Sequence, residues 1–254
     1  MRLSVLIPAY NERATILPVL AMVCAALPAV EKEIIVVDDC STDGTRALLQ
    51  KAFPKGSGRY SSVTANPDGS IALTEAADGA FSIDVLYHDK NSGKGAALRS
   101  ALARAAGDVV VIQDADFEYD PQDWAQMYNL IAERKVADVV YGSRFYGRPH
   151  RSLFFHHFMA NRLISFLFNV LYNQTLSDIE VCYKMFTRDV AKALKVTCND
   201  FGIEVEISAQ IARKRTLRIY ELGISYYGRT YVEGKKINWR DGVKALWYLV
   251  KFRF

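Results

Sequence analysis

Cysteine is scarce in this sequence, and long apolar runs are missing from it. Its 254 residues include four cysteines with no CxxC pair, so we expect a reduced cytosolic setting rather than a disulfide framework. No run of about 18 apolar residues occurs, so we expect no transmembrane helix. The short apolar run near Met1 is soon interrupted by polar residues, which argues against a signal peptide.

Glycine-rich phosphate-binding turns are absent as well. The first predicted strand ends in Pro-Ala-Tyr-Asn-Glu at 8–12, where a nicotinamide-binding fold requires a GxGxxG turn, and no GxxxxGK[ST] loop occurs. The four histidines contain no spaced ligand pair, and His156 and His157 are interpreted as helix-surface residues. These absences disfavour dinucleotide-binding and P-loop enzymes.

Positive charge is concentrated near the C-terminal end of the sequence. Residues 228–254 contain seven Lys or Arg against two acids, whereas the whole chain has a net charge of +4. The basic residues are interleaved with aromatic side chains, among them Trp239, Trp247, Tyr248, Phe252 and Phe254. This pattern fits contact with an anionic membrane surface. It equally fits a solvated helix whose apolar side packs on the core.

Apolar, β-branched segments alternate with helical patterns through the first 145 residues, which predicts a parallel sheet covered by helices on both faces. The predicted strands are Leu3–Pro8, Glu33–Asp38, Phe81–Tyr87, Asp108–Gln113 and Ala137–Gly142. Beyond them we predict an apolar helix within 153–176, helices over Ile203–Arg213 and Asn238–Phe252, and a strand over Arg218–Tyr227.

Residues 54–80 interrupt this alternation. The segment is rich in small and polar residues and contains Asn-Pro-Asp-Gly at 66–69, so we predict a hairpin. It lies on a helix-to-strand connection, and such connections are at the opposite end of a parallel sheet from the ligand crevice. We therefore expect this insertion not to be catalytic.

Three carboxylates follow the buried strand at 109–112. Asp114, Asp116 and Glu118 are within five residues of one another, and such like charges are best tolerated around a cation. Mg²⁺ and Mn²⁺ prefer oxygen ligands, and ligands bind at the carboxyl ends of parallel strands. The alternative is a solvated acidic turn.

Other polar residues also follow predicted strands. Tyr10 offers a face for a nucleotide base and Glu12 an acceptor for its polar groups, although Asn11 also suits a helix cap. Of the adjacent Asp38 and Asp39, one is expected to face the nucleotide while the other caps a helix. Lys94, between two glycines, is placed to reach phosphate or ribose, unless this is a plain turn.

The segments PAYNE, VVDDCSTDGT, NSGKG, QDAD and YGSRF resemble, in this order, the family 2 inverting glycosyltransferases of the GT-A fold. LSDIEVCYKMF, FGIEVEI and ELGISYYGRTYVEGKKINWRDG resemble the dolichyl-phosphate mannose synthase and polyprenyl-phosphate glucosyltransferase branch. The resemblance covers nearly the whole chain except the insertion. It implies one α/β domain over 1–254 with a Rossmann-like, mostly parallel sheet, a nucleotide-sugar half at 1–145 and an acceptor- and membrane-facing extension at 146–254.

The resemblance also implies roles for individual residues. Asp114, Asp116 and Arg144 would be catalytic, with Asp116 and Glu118 binding Mg²⁺ or Mn²⁺, although the family often has Gln in place of Glu118. Arg144 would meet phosphate at the reaction centre. The residues expected to bind the donor are Pro8, Tyr10, Glu12, Val37, Asp39, Lys94, Asp114, Ala115, Arg229 and Lys235.

The implied reaction moves a hexose from GDP-mannose or UDP-glucose to a polyprenyl or dolichyl phosphate. A phosphate monoester is already anionic near neutrality, so this acceptor needs cations more than a general base. The candidates are Arg144, Arg162 and Lys184. Asp178 and Glu180 would either supply a base or position Arg144 and Lys184, and we favour positioning.

Three alternatives stay open at this stage. They are a glycosyltransferase acting on a sugar or protein hydroxyl, a non-catalytic nucleotide-sugar or membrane-binding module, and a nucleotidyltransferase, which would be expected to carry a glycine-rich N-terminal loop. Many bacterial relatives have two transmembrane helices after the region corresponding to Phe254. We therefore expect a peripheral protein at the cytoplasmic membrane face, or one that needs a membrane-protein partner, and no nucleic-acid partner.

Overall fold

A nine-stranded mixed sheet forms the centre of the residues that the computed structural model describes, namely 1–66, 71–76, 80–147, 149–152, 154–230, 232–234 and 239–254. The strands are β1 (Leu3–Ala9), β2 (Lys32–Asp38), β3 (Ser57–Ala65), β4 (Ile71–Glu75), β5 (Phe81–Tyr87), β6 (Val109–Ile112), β7 (Val139–Ser143), β8 (Lys184–Thr187) and β9 (Ile219–Gly223). Their order is β4-β3-β5-β2-β1-β6-β8-β7-β9.

Helices connect most of these strands. They are α1 (Ile16–Ala25), α2 (Thr45–Ala52), α3 (Lys94–Arg104), α4 (Trp124–Tyr128), α5 (Phe155–Tyr172), α6 (Arg188–Ala193), α7 (Ile203–Arg213) and α8 (Trp239–Lys251). A 3₁₀ turn at Pro121–Asp123 precedes α4 and a π turn at Asn129–Glu133 follows it. None of the described helices combines the length and apolar content needed to cross a bilayer.

The parallel core of the sheet follows from the sequence pattern. β5, β2, β1 and β6 are mutually parallel neighbours, and β2 and β6 are buried along their whole length. Strands covered on both faces need continuous apolar, β-branched sequences, and these strands have them. The five strands predicted in the first 145 residues are confirmed. The four cysteines are free thiols, in agreement with the absence of a disulfide framework.

The second half of the chain adds a strand that the sequence pattern does not predict. β8 enters the sheet antiparallel between β6 and β7, so the sheet is more mixed than expected although the α/β class is confirmed. It has four residues and begins with the fully buried Lys184. A strand this short gives little periodicity, and a charged residue at its start is normally assigned to the surface.

The insertion forms the expected hairpin at one edge of the sheet. β3 pairs antiparallel with both β4 and β5, and Ala65 is opposite Ile71. The predicted turn at 66–69 lies largely outside the described residues, which resume at 71. Because strands from both predicted halves of the chain belong to one sheet, a single hydrophobic core extends from Leu3 to Leu249.

Candidate active site

A large cavity opens at the carboxyl ends of β1, β2 and β6. Its volume is about 1340 Å³. Most residues predicted to bind a nucleotide-sugar, and both predicted metal ligands, line one end of it: Pro8, Tyr10, Glu12, Asp39, Lys94, Asp114, Ala115 and Arg229, with Asp116 and Glu118. Val37 is fully buried in β2 and does not line the cavity, and Lys235 lies outside the described residues. None of the described residues of 54–80 lines it, but the non-catalytic role of the insertion stays a prediction.

One guanidinium is surrounded by three carboxylates at this end of the cavity. The Arg229 Nε atom is 3.2 Å from Glu118 Oε1 and the Nη1 atom 3.4 Å from Glu12 Oε2, while Nη2 pairs with Asp116. The Arg229 backbone N–H donates to Glu118 Oε1 at 2.9 Å, and the Tyr226 hydroxyl donates to Glu118 Oε2 at 3.1 Å. The acidic cluster therefore binds a cation, as its sequence suggested.

The electrostatics explain why a cation is required there. Burial, together with repulsion by Asp114 and Glu118, raises the pKa of Asp116 to about 7. Within the described ranges no group of three or more His, Cys, Asp or Glu side chains is arranged to hold a metal ion. The Arg229 guanidinium takes the central position instead. If Arg229 withdrew, Asp116 and Glu118 would offer the oxygen atoms that Mg²⁺ and Mn²⁺ prefer, so the donor set fits such an ion.

Asp114 has a different cation. The Lys94 Nζ atom is 2.8 Å from Asp114 Oδ1 and 2.9 Å from Glu204 Oε1. Burial by itself would raise the pKa of Asp114, but the charge and hydrogen bond of Lys94 lower it. Asp114 is therefore ionised at neutral pH, whereas Asp116 titrates near neutrality. The two carboxylates thus differ in protonation although they are only two positions apart.

The backbone around Lys94 explains the glycines on either side of it. Gly93 has a φ of 93°, and a Cβ atom there would be 2.2 Å from the carbonyl oxygen of Asn199. A Cβ on Gly95 would be 2.2 Å from the carbonyl oxygen of Cys198, and the Gly95 N–H donates to Asn199 O at 2.8 Å. The start of α3 thus packs directly on the loop before α7. This close packing, and not only a turn between β5 and α3, accounts for the two glycines.

The two adjacent acids after β2 divide their roles. Asp38 is fully buried, pairs with Arg46 of α2 at 2.7 Å and accepts the Ser41 N–H. Asp39 lines the cavity but accepts the N–H groups of Ser92 and Gly93 and contacts His88 Nδ1 at 2.7 Å. Asp39 is thus the acid that faces the cavity, and it also fixes the loop that leads to Lys94. The predicted helix cap is wrong, because Asp38 binds Ser41 and Arg46 and the N-cap residue of α2 is Gly44.

Asn11 does not cap the helix that follows it. It has a left-handed φ of 52°, its N–H donates to Ser41 Oγ, and its Oδ1 accepts the Thr42 N–H at 2.8 Å. The helix α1 begins later, after Thr15. Asn11 therefore joins the loop after β1 to the loop after β2, and holds the neighbouring Tyr10 and Glu12 at the cavity.

Of the three cations proposed for the acceptor, only Arg144 faces the cavity. Arg144 Nε and Nη2 each donate to Asp178 at 2.7 Å, and its guanidinium lies 5.4 Å from the Tyr226 ring centroid. Arg162 is exposed, packs on Phe145 and does not line the cavity. Asp178 is fully buried with both oxygens on Arg144, which is the positioning arrangement that we favoured.

The prediction for Lys184 is wrong. Its side chain is fully buried, with Nζ 2.5 Å from Glu204 Oε2 and 2.5 Å from the carbonyl oxygen of Val181. No part of it reaches the cavity, so it has no surface with which to contact an acceptor. Glu204, which the sequence reading missed, joins Lys184 to Lys94. The signal was the presence of two acids, Glu204 and Glu206, on the largely apolar helix α7.

The other end of the cavity is apolar. It is bounded by α5 and α8 through Phe155, Phe158, Leu163, Val243 and Leu246, with His156 and His157 in the first turn of α5. The apolar character fits a hydrocarbon group better than a polar ligand. Arg144 lines the cavity together with these residues and with the acidic cluster.

Glu180 is a further carboxylate on the cavity wall. It makes no side-chain hydrogen bond or ion pair with any residue in the described part of the chain, so the positioning of Arg144 and Lys184 that we favoured holds for Asp178 on Arg144 and not for Glu180. Burial raises its pKa to about 7, with Arg144 acting in the opposite direction. Glu180 can therefore gain or lose a proton near neutral pH, and its carboxylate oxygens have no protein partner in the described part of the chain. Both properties make it a candidate for contact with a ligand.

Comparison with known proteins agrees with this arrangement. The model of the family described as glycosyl transferase family 2 matches residues 4–65 and 65–195. Glycosyltransferase AglJ of Haloferax volcanii is 27% identical over 89% of this chain and 63% of its own length. The undecaprenyl-phosphate mannosyltransferase of Micrococcus luteus is 28% identical over 92% of this chain and 87% of its own length. This chain therefore spans less than two thirds of the first of these relatives.

The fold is similar to that of a solved enzyme. The crystal structure of glucosyl-3-phosphoglycerate synthase from Mycobacterium tuberculosis with Mn²⁺ and UDP-glucose superposes with a TM-score of 0.69 at 17% identity, covering 98% of this chain and 78% of that one. At this identity the likeness concerns the fold, and it confirms the GT-A architecture.

The buried pair of Arg144 and Asp178 makes a prediction about stability. Asp178→Asn leaves Arg144 without its counter-ion, so we expect the free energy of unfolding to fall by about 3–5 kcal/mol in urea denaturation. The matched control is Asp138→Asn, because Asp138 forms the same bidentate ion pair with Arg218 at the protein surface. That variant should lose much less stability. Equal losses in the two variants would contradict the assignment.

Proposed function

Because the chain belongs to glycosyl transferase family 2, we propose that it transfers a hexose from a nucleotide-sugar of the GDP-mannose or UDP-glucose type to a polyprenyl or dolichyl phosphate. One observation carries the proposal. A single cavity joins an acidic, cation-binding end to an apolar end, and Arg144 lines it with both groups. The acidic, cation-binding end fits a charged nucleotide-sugar donor, and the apolar end fits the hydrocarbon chain of a lipid-phosphate acceptor.

The relatives support this choice of substrates. The Micrococcus luteus relative, of which this chain covers 87%, is named for mannose transfer to undecaprenyl phosphate. A relative in Pyrococcus furiosus is named dolichol-phosphate mannosyltransferase, although only 34% of it is covered. Both names specify mannose and they differ in the lipid, so they support a polyprenyl-phosphate acceptor without favouring one lipid.

The chemistry follows from the charges in the cavity. An oxygen of the acceptor phosphate attacks the anomeric carbon, and the bond from that carbon to the nucleoside diphosphate breaks. Arg144, fixed by Asp178, is placed to hold the acceptor phosphate, which is already anionic near neutrality. A divalent cation bound to Asp116 and Glu118 would stabilise the charge that develops on the leaving diphosphate.

Arg229 has to move for this reaction to proceed. Its guanidinium cannot stay between Glu12, Asp116 and Glu118 while a divalent ion binds there. Once released, it is close enough to the same site to contact the diphosphate. We therefore assign Arg229 two roles. Before the donor binds, it is the cation that pairs with the acidic cluster, and after the donor binds, it contacts the donor.

We expect a donor panel to identify the sugar and the metal requirement. Purified protein is incubated with Mn²⁺ or Mg²⁺, a short polyprenyl phosphate, and GDP-mannose, UDP-glucose or UDP-N-acetylglucosamine in turn, and glycolipid is measured by mass spectrometry. Product should form with one donor. Asp116→Asn should reduce turnover by at least about a hundredfold, because a group that stabilises transition-state charge is lost.

The control for this variant is Asp120→Asn. Asp120 caps the 3₁₀ turn that follows the acidic cluster, and it does not line the cavity, so its loss should leave turnover nearly unchanged. Full activity of the wild type in EDTA would defeat the metal assignment. Nucleotide binding without product from any donor would count against the phosphate acceptor.

Glu180 favours a second candidate, transfer to a hydroxyl group. An alcohol acceptor needs a general base, and a free carboxylate with a pKa of about 7 on the cavity wall suits that role. Such a base works only when deprotonated, so the rate would rise as the pH increases through about 7. With a phosphate acceptor the residue has no proton to remove.

Glu180→Gln separates the two candidates. With a polyprenyl phosphate we expect the turnover of this variant to stay within about threefold of the wild type. If the natural acceptor is a hydroxyl, the loss should instead be about a hundredfold or more, and the rise in rate near pH 7 should disappear. The measurement is the pH dependence of turnover with each acceptor class.

We further propose that α5 and α8 place the enzyme on the cytoplasmic face of a membrane. The two helices pack together, with the Tyr172 hydroxyl donating to Leu249 O at 3.1 Å. Large apolar side chains on both are exposed to solvent, among them Phe155, Phe166, Val170, Val243 and Trp247. The basic Lys244, Lys251 and Arg253 lie on or just after α8. Exposed apolar groups beside cations fit an anionic lipid surface.

Vesicle binding tests the membrane face. We expect the protein to sediment with vesicles that contain anionic lipid, and to do so less at high salt. Replacing Phe166 and Trp247 together by Glu should weaken binding at least about tenfold, because each side chain contributes about 2 kcal/mol of transfer free energy. Tyr220→Glu is the control, since Tyr220 is exposed on β9 and outside both helices. Equal binding by all three proteins would reject this face.

A further inference from the structure

Four charged side chains of alternating sign form a chain from the protein interior to the cavity. Lys184 Nζ is 2.5 Å from Glu204 Oε2, Lys94 Nζ is 2.9 Å from Glu204 Oε1, and Lys94 Nζ is 2.8 Å from Asp114 Oδ1. The four residues come from β8, α7, α3 and the end of β6. Two positive and two negative charges balance one another across these elements.

Burial makes each member of the chain depend on its neighbours. Lys184 is fully buried away from the cavity, whereas Glu204, which is 5% exposed, lines the cavity wall together with Lys94 and Asp114. A buried charge that loses its partner is strongly destabilising, whereas a balanced pair is tolerated. Lys184 has Glu204 as its ion-pair partner among the described residues. Its Nζ also contacts the carbonyl oxygen of Val181, which does not line the cavity, so we expect the effect of Lys184 on the cavity to pass through Glu204.

The backbone adds a second constraint on Lys94. The close approach of Gly93 and Gly95 to Asn199 and Cys198 fixes the start of α3 against the loop that precedes α7. The side chain of Lys94 therefore leaves the backbone at a fixed place. The ion pairs with Glu204 and Asp114 then fix the direction in which the Lys94 side chain extends.

From these contacts we propose that Glu204 and Lys184 are positioning residues for the donor end of the cavity. Glu204 holds the Lys94 ammonium against Asp114, and Lys184 holds Glu204 in place. The inference rests on the proposed function in one respect, namely that the Lys94 and Asp114 pair faces the nucleoside diphosphate. The charge chain itself is a property of the folded protein, so it is testable without any substrate.

Chemical labelling of lysines tests the chain without a ligand. The protein is treated with a small acetylating reagent, and the labelling rate of each lysine is read by mass spectrometry, with the exposed Lys51 as internal standard. We expect Lys94 to be protected in the wild type. In Glu204→Gln its labelling should accelerate by about tenfold, because loss of the Glu204 charge lowers the pKa of the Lys94 amine.

The control is a buried glutamate at the other end of the sheet. Glu33 accepts hydrogen bonds from Ser4 and Gly107 and pairs with Arg2 at 2.6 Å, far from the cavity lining. Glu33→Gln should lower stability but leave the labelling of Lys94 unchanged. If Glu204→Gln and Glu33→Gln gave the same Lys94 labelling, the positioning of Lys94 by Glu204 would be refuted.

Nucleotide affinity tests the connection to the donor. UDP and GDP are titrated calorimetrically in the presence of Mn²⁺ into the wild type, Glu204→Gln, Lys184→Met and the double variant. We expect the nucleotide that binds the wild type to bind Glu204→Gln about tenfold more weakly and Lys184→Met at least about threefold more weakly. The double variant should match Glu204→Gln, because Lys184 acts through Glu204.

The outcomes separate the inference from the proposed function. Independent, multiplying effects of the two substitutions, or unchanged affinity in Glu204→Gln, would overturn the positioning role. If the wild type bound neither nucleotide, the proposed function would fail, and labelling would still decide whether the chain holds Lys94. If either single variant did not fold, the double variant, in which the pair is removed together and no lone buried charge is left, is compared with the wild type, and unchanged nucleotide affinity in it would overturn the positioning role.

Discussion

Charge compensation at the end of β6 constrains the whole site. Asp114, Asp116 and Glu118 follow a strand that is buried along its length, where a carboxylate without a partner is costly. Each of them has a cation from a distant part of the chain, Lys94 from α3 or Arg229 from the segment after β9. Because these partners come from opposite halves of the sequence, the acidic cluster forms only when the halves have folded together.

The cations in the cavity differ in how firmly they are held. Lys94 is backed by Glu204, and Arg144 by the fully buried Asp178. Arg229, by contrast, is paired with Asp116 and Glu118, the carboxylates that would hold a divalent ion. A ligand that brings its own positive charge to those carboxylates competes with Arg229 directly, whereas the other two cations keep their partners. This difference assigns fixed positions to Lys94 and Arg144 and an exchangeable one to Arg229.

The sequence predicts the parts of the fold that repeat and misses those that depend on single contacts. The continuous apolar strands and the carboxylates at their ends are visible in the order of residues alone, and so is Arg144 after β7. β8 and the burial of Lys184 are not, because a pattern assigns a lysine to the surface unless its partner is known. Glu204 is 20 positions away from Lys184 and Glu12 is 217 from Arg229, so only the folded chain reveals these pairs.

Tyr226 connects the two ends of the cavity. Its hydroxyl donates to Glu118, its ring centroid is 5.4 Å from the Arg144 guanidinium, and its ring packs on Tyr119. It also lies three positions before Arg229, whose backbone N–H is bound to the same Glu118. Glu118 thus binds both Tyr226 and Arg229, and the Tyr226 ring contacts Arg144. The acidic end of the cavity and Arg144 are therefore joined through one side chain, so a substitution of Tyr226 would disturb the contacts of both.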